Sequence, residues 1–246
     1  IFHLNVKIQF IHYYLLTFTA LYLIMSKSEN KEIFSILFIP FLLLIAMWLV
    51  KLIEIQFDLS LIEYGVLPQT IEGLKGILFS PFIHKDLNHL LNNSYPILIL
   101  GGLLFSVYRK IAAQIFVWLF FISGFWLWII GRGDSFHIGA SGVIYALASF
   151  IFVSGIVRKN TRLSAVSLVV IFLYGSMVWG ILPTKQPISW EGHLSGFVAG
   201  IIVALFYKNE GPKRKKYQWE IDEETEEKFR EENEINYILK KDRQKD

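Results

Sequence analysis

Six apolar runs constrain this chain more than any other feature: Ile33–Val50, Leu90–Tyr108, Ile111–Ile130, Gly139–Val157, Leu163–Leu182 and Ser189–Tyr207. Each is close to the ~20 residues that carry a helix across a ~30 Å hydrocarbon core. With 54% of its 246 residues hydrophobic and 16% aromatic, the chain reads as an all-α membrane protein, a bundle of six transmembrane helices. Residues 33–207 form that bundle, 1–32 an N-terminal segment and 208–246 a charged tail.

The short connections orient the bundle, because Lys and Arg are retained on the cytoplasmic side. Arg109 and Lys110 follow the second run, Arg158, Lys159 and Arg162 the fourth, and Lys208 with Lys213 to Lys216 the sixth. The opposite connections hold Arg132 alone and Lys185 alone. Both ends of the six-span core are therefore expected inside and Gly139 at the outer face. The net charge of +3 is mostly this asymmetry, so it is not a nucleic-acid footprint. The absence of cysteine removes disulfides, thiol catalysis and Cys-based zinc sites together.

Three segments lie outside the six runs. Ile8 to Met25 is apolar enough for an extra span, but Met25-Ser26-Lys27 reads as an ordinary polar start, and translation is expected to begin there. The outer stretch from Leu59 to Leu90 is punctuated by Pro68 and Pro81, with Ile71 to Phe79 fit for a short amphipathic helix. Backbone at that depth must be buried against protein or lie among headgroups, so this stretch is expected to cover part of the bundle. After Tyr207, a basic cluster and the acidic run Glu220 to Glu234 read as a solvated tail held near anionic lipid; Ile235, Ile238 and Leu239 offer a partner-binding helix as the alternative.

Polar side chains inside a span are costly, so each is a functional hypothesis. At 1.5 Å per helical residue, Ser141 lies about 25 Å from Arg158, His193 about 22 Å from Lys208, and Asn93 about 24 Å from Arg109. Three polar residues on three helices thus reach one level, with His89 one turn further out beside Asn93 and Tyr145 one turn below Ser141. Gly192, Gly196 and Gly200 recur every fourth residue beside His193, and Gly139 and Gly142 thin the wall beside Ser141. Small residues let membrane helices approach closely, so these glycines are expected to bring Ser141 Oγ to His193. Taken singly, such glycines are packing devices and Asn93 is interhelical glue; the joint pattern carries the weight.

A serine and a histidine suffice for acyl transfer if the imidazole takes the hydroxyl proton and donors hold the oxyanion. The Ser141 N–H at a helix start, the Asn93 amide and His89 are the candidate donors. No acidic third member stands at a suitable position, since Glu191 is two residues from His193 and faces away. The His-Glu-x-x-His spacing of a metalloprotease is absent. Gly131-Arg132-Gly133-Asp134 matches a Gly-x-Gly-Asp pattern, but a carboxylate dyad needs a second membrane-level Asp, and Asp58 and Asp86 lie in the outer segment.

These residues resemble the motifs of the rhomboid family of intramembrane serine proteases. His89-Leu-Leu-Asn92-Asn93 is similar to the family's His-x-x-x-Asn. Gly139-Ala140-Ser141-Gly142 is similar to its Gly-x-Ser-x nucleophile motif, with Tyr145 at the aromatic position that packs on the histidine. Gly192-His193-Leu194-Ser195-Gly196 resembles its sixth-helix motif. The resemblance implies a Ser141–His193 dyad open to the extracytoplasmic side, supported by Asn93, His89 and Tyr145. It also implies transmembrane protein substrates cut near the outer membrane boundary, and neither metal nor other cofactor. The expected setting is a prokaryotic plasma membrane, with the tail cytoplasmic. A non-proteolytic, client-binding relative is the alternative, and such proteins typically lack the Ser or the His. The Trp-Arg pair found in the first loop of some members has no counterpart here.

Overall fold

The computed structural model describes residues 27–175, 180–183, 189–212 and 218–243. The possible span Ile8–Met25, the start at Met25 and the cluster Lys213 to Lys216 lie outside the described residues. The described elements are α1 (Lys27–Phe57), a short α2 (Lys75–Phe79), α3 (Leu87–Val107), α4 (Ala112–Ile130), α5 (Ser141–Val157), α6 (Thr161–Tyr174), α7 (Trp190–Phe206) and α8 (Gln218–Arg243). Three 3-10 turns flank α2, and no strand occurs among the described residues. The fold is an all-α membrane bundle.

Six apolar helices correspond to the six runs, with informative differences at their ends. Three are long and apolar enough to cross a membrane: Lys31–Phe57, Leu87–Val107 and Ala112–Ile130. The other three, Ser141–Val157, Thr161–Tyr174 and Trp190–Phe206, are shorter. The first run was expected to end at Val50, where charges begin, yet the helix continues to Phe57. Lys51 Nζ reaches Glu54 Oε2 at 3.1 Å and the His84 carbonyl at 2.9 Å, while Glu54 Oε1 accepts the Leu61 N–H at 3.0 Å. These charges, with Glu54 only 6% exposed, turn the end of α1 into an anchor for the outer segment. The fourth run loses Gly139 and Ala140 to the preceding loop, and α6 ends at Tyr174, short of the expected Leu182.

Local chemistry sets several helix starts. Asp86 accepts the His89 N–H ahead of α3, Asn160 accepts from Arg162 and Leu163 ahead of α6, and Ser189 accepts from Gly192 ahead of α7. Each supplies an acceptor to amides that have no partner within the helix. Ala140, ahead of α5, has no side chain able to do this.

Central α5 packs most extensively on α7, then on α6, while α1 pairs with α3. The reason is the absence of side-chain atoms at the contact. A Cβ at Gly196 would stand 2.0 Å from the Gly142 carbonyl oxygen, and one at Gly200 would stand 1.9 Å from Ser149 Oγ. From the other side, a Cβ at Gly142 would come 3.3 Å from the Gly192 carbonyl oxygen. The expected thin wall thus exists at Gly142, Gly196 and Gly200. Gly139 does not belong to it: its φ is +106° and a Cβ there would meet the His89 ring at 2.7 Å. It serves as a left-handed hinge pressed against α3, because only glycine adopts this backbone without strain.

The outer segment is folded and pinned. Ile71–Phe79, expected as one amphipathic helix, is a 3-10 turn over Glu72–Leu74 followed by α2. Trp128 Nε1 donates to the Thr70 carbonyl at 2.8 Å and the Gln69 N–H to the Trp128 carbonyl at 2.9 Å, which fastens the segment to α4. Beyond Pro212 the chain forms a separate compact unit. Its described part is α8, an acidic helix exposing Trp219, Phe229 and Ile235.

Overpacking a tight helix contact costs about 1–3 kcal/mol. Gly196→Ala is therefore expected to lower the unfolding midpoint in detergent, because its Cβ meets backbone. Gly175→Ala, whose Cβ would find Ile171 at an ordinary 3.7 Å, is the control and should leave the midpoint nearly unchanged. Equal midpoints for the two variants would contradict the packing account.

Candidate active site

The site forms where the first turns of α5 and α7 meet. Ser141 is the first residue of α5, and His193 lies one turn into α7. The Gly142–Gly196 contact holds these turns together, and His193 Nε2 stands 3.0 Å from Ser141 Oγ. On the ring's other side, Nδ1 lies 2.9 Å from the Gly180 carbonyl oxygen. The Tyr145 ring stacks on the imidazole with centroids 4.2 Å apart and planes 9° from parallel. His193 is 9% exposed, so burial and stacking together fix the ring.

Ser141 borders a small cavity. The outer segment contributes Ile77, Ser80 and Pro81, α4 contributes Ser123 and Gly124, and α7 contributes Gly192. Because Ala140 does not cap α5, the first amides of the helix have no side-chain partner and leave the positive end of its dipole available to a developing anion.

The other predicted residues are placed differently. The Asn93 side-chain amide donates to the His89 carbonyl at 2.8 Å, one turn back on its own helix. His89 turns its ring against Gly139 and meets the edge of the His84 ring, with centroids 5.0 Å apart. Neither Asn93 nor His89 lines the cavity. The structure thus joins Ser141, His193 and Tyr145 directly, and connects His89 to them through Gly139.

Several residues at the site were not singled out from the sequence. His137 Nε2–H donates to the Arg132 carbonyl at 3.1 Å, which leaves Nδ1 to accept the Ser189 hydroxyl at 2.6 Å. Ser189 Oγ in turn accepts the Gly192 N–H at 3.1 Å, so the loop before α5 holds the start of α7. Glu191, 1% exposed, is turned away from the imidazole as its spacing implied, and both its oxygens face Arg132. Paired N–H and C=O groups of His137 and Val66, at 2.8 and 2.9 Å, and the Gly139 N–H to the Ser80 carbonyl at 2.8 Å, fasten the same loop to the outer segment. A histidine four residues before Ser141 and a serine ahead of Glu191 were the available signals.

A helical membrane protein whose serine and histidine meet between two short helices, beneath a folded outer segment, is the class these features define. This chain belongs to the rhomboid family: the rhomboid-domain profile matches residues 72–210. Similar proteins described as uncharacterized occur in Mycobacterium tuberculosis and Mycobacterium bovis, each 37% identical over 180 residues, 69% of this chain and 73% of the relative. One from Mycobacterium leprae is 35% identical over 180 residues, covering 69% of each chain. The present chain is an integral membrane protein.

His84 lies in the outer segment, outside the spanning helices. Its Nδ1–H donates to the Phe82 carbonyl at 3.3 Å, and its Nε2 is buried without a hydrogen-bond partner. Burial first, then repulsion from His89 and Lys51, lowers its pKa from 6.5 to about 3. Below pH 6.5 the unfolded chain takes up a proton that the folded His84 refuses until about 3, so stability falls as pH drops through that window. The limiting slope is about 1.4 kcal/mol per pH unit. Unfolding midpoints measured across the window should fall with acid in the native protein and fall less in His84→Gln; identical slopes would contradict this origin.

Proposed function

We propose that this protein is an intramembrane serine endopeptidase that cleaves single-span membrane proteins near the outer membrane boundary. The observation that carries the reading is the 3.0 Å approach of Ser141 Oγ and His193 Nε2 between two membrane helices. It is supported by the stacked Tyr145, the uncapped start of α5 and membership of the rhomboid family.

The chemistry follows from these groups. Ser141 Oγ attacks the scissile carbonyl while His193 Nε2 takes the hydroxyl proton. The oxyanion is held by the Ser141 N–H, with the Asn93 amide joining it when released from the His89 carbonyl, and His89 beside them. The imidazolium gives its proton to the leaving amine, the C–N bond breaks, and an acyl ester remains on Ser141. Water then attacks the ester, losing its proton to His193, and that proton returns to Ser141 Oγ as the new carboxylic acid leaves. The cavity beside Ser141 has a volume of about 30 Å³, enough for a water molecule.

Topology gives the same reading a place. The basic connections at Arg109, Arg158 and Lys208 support a cytoplasmic position for those ends, and so an orientation in which α5 and α7 start toward the outer leaflet; the membrane proposed is a prokaryotic plasma membrane. At 17 residues, α5 is about 25 Å long, shorter than the ~30 Å core. A helix this short leaves Ser141 beneath the surface, where a substrate helix must unwind to present its backbone.

Cleavage of a model single-span substrate by the purified, detergent-solubilised protein tests the proposal. Ser141→Ala and His193→Ala should each reduce the rate at least about a hundredfold, the low end of what a positioned general base contributes. Undiminished cleavage in either variant rejects the dyad. Failure of the native protein to cut substrates that it nevertheless binds would favour a client-binding relative.

A further inference from the structure

The dyad leaves one chemical need unmet. An imidazole acting as a base must present a bare nitrogen to the serine, and in a serine triad an acidic side chain enforces this by holding the other nitrogen's proton. Here Glu191, the nearest carboxylate in sequence, is engaged with Arg132. His193 Nδ1 instead meets the main-chain carbonyl of Gly180 at 2.9 Å.

We propose that Gly180 is the positioning residue that takes the place of the triad's acid, its carbonyl oxygen fixing both the tautomer and the orientation of His193. A carbonyl oxygen can only accept, so Nδ1 carries the proton of the neutral ring. Nε2 is then bare and stands 3.0 Å from Ser141 Oγ, ready to take the hydroxyl proton. When the ring becomes cationic, its Nδ1–H remains on the Gly180 oxygen and the hydrogen bond strengthens. No proton passes to the carbonyl at any step.

The identity of the residue follows from space rather than from side-chain chemistry. A Cβ at position 180 would lie 2.0 Å from the Tyr145 hydroxyl oxygen and 3.1 Å from His193 Nδ1. Any larger residue must therefore push Tyr145 out of its stack, draw the carbonyl away from the ring, or both. Glycine alone lets the main chain reach Nδ1 while Tyr145 stays flat against the imidazole.

The inference rests on the dyad reading for its catalytic meaning, but its geometry can be measured apart from activity. In full-length protein with 15N-labelled histidine, His193 at a pH where the ring is neutral should show a protonated Nδ1 and a bare Nε2. Gly180→Ala should mix the tautomers and lower kcat by about a hundredfold, the order expected from an angstrom-scale misplacement of a reacting group, with KM little changed. Adding Tyr145→Phe should recover part of that loss relative to Gly180→Ala alone, since it removes the oxygen that the new Cβ strikes. A protonated Nε2 in the native protein overturns the proposal. So does Gly180→Ala with native kcat and tautomer, or a loss of activity with the native tautomer and no recovery by Tyr145→Phe. If Ser141→Ala leaves cleavage intact, the dyad fails, and the native tautomer still decides whether Gly180 holds the ring.

Discussion

The backbone-to-backbone approach of α5 and α7 is the contact on which the site depends. At Gly142 and Gly196 the two helices touch through a carbonyl oxygen where a Cβ would stand 2.0 Å away. No apolar side chain could fill such a contact, and in a membrane there is no hydrophobic gain in replacing lipid by leucine; close packing of small residues is what draws helices together. At the N-terminal ends of the two helices, that approach leaves Ser141 and His193 3.0 Å apart. A separation larger by one methyl group on each helix would part the cavity-lining Ser141 from the buried His193 imidazole.

Close packing fixes distance, and the outer segment fixes direction. The chain enters α5 through a loop whose His137 is paired with Val66 and whose Gly139 is bound to Ser80. The same His137 holds Ser189, which caps α7, and Arg132 from that loop pairs with Glu191 in the first turn of α7. Both site helices therefore start from one hydrogen-bonded frame, fastened in turn to α4 through Trp128. Lys51 and Glu54 at the end of α1 close the other edge by binding the His84 and Lys85 carbonyls and the Leu61 amide. The segment that hydropathy alone treats as a leftover is what aligns Ser141 and His193.

The legible and illegible parts of the molecule divide along physical lines. Apolar length and basic connections are one-dimensional signals, so the six helices and the shared level of Ser141 and His193 could be counted from the chain. The four-residue spacing of Gly196 and Gly200 foretold a close face because each missing side chain is visible in sequence. Gly139 looked like part of that face, but its role comes from a positive φ that no hydropathy window detects. Asn93 and His89 were counted to the level of Ser141 and one turn beyond it, yet such a count does not say that an amide will turn to a carbonyl on its own helix. Gly180 was beyond reach, since its contribution is a backbone atom that every residue possesses. The first apolar run stops at Val50, short of the helix end at Phe57, because the partners of Lys51 and Glu54, carbonyls and an amide of the segment 59–90, carry no sequence signal.

The proposed dyad requires that the His193 imidazole make the neighbouring Ser141 hydroxyl nucleophilic. Covalent labelling by a serine-reactive fluorophosphonate asks this without requiring a substrate to be known. One adduct per chain is expected, mapped by mass spectrometry to the peptide containing Ser141 and lost in His193→Ala. Labelling that spares Ser141, or that persists there unchanged without His193, would contradict the dyad.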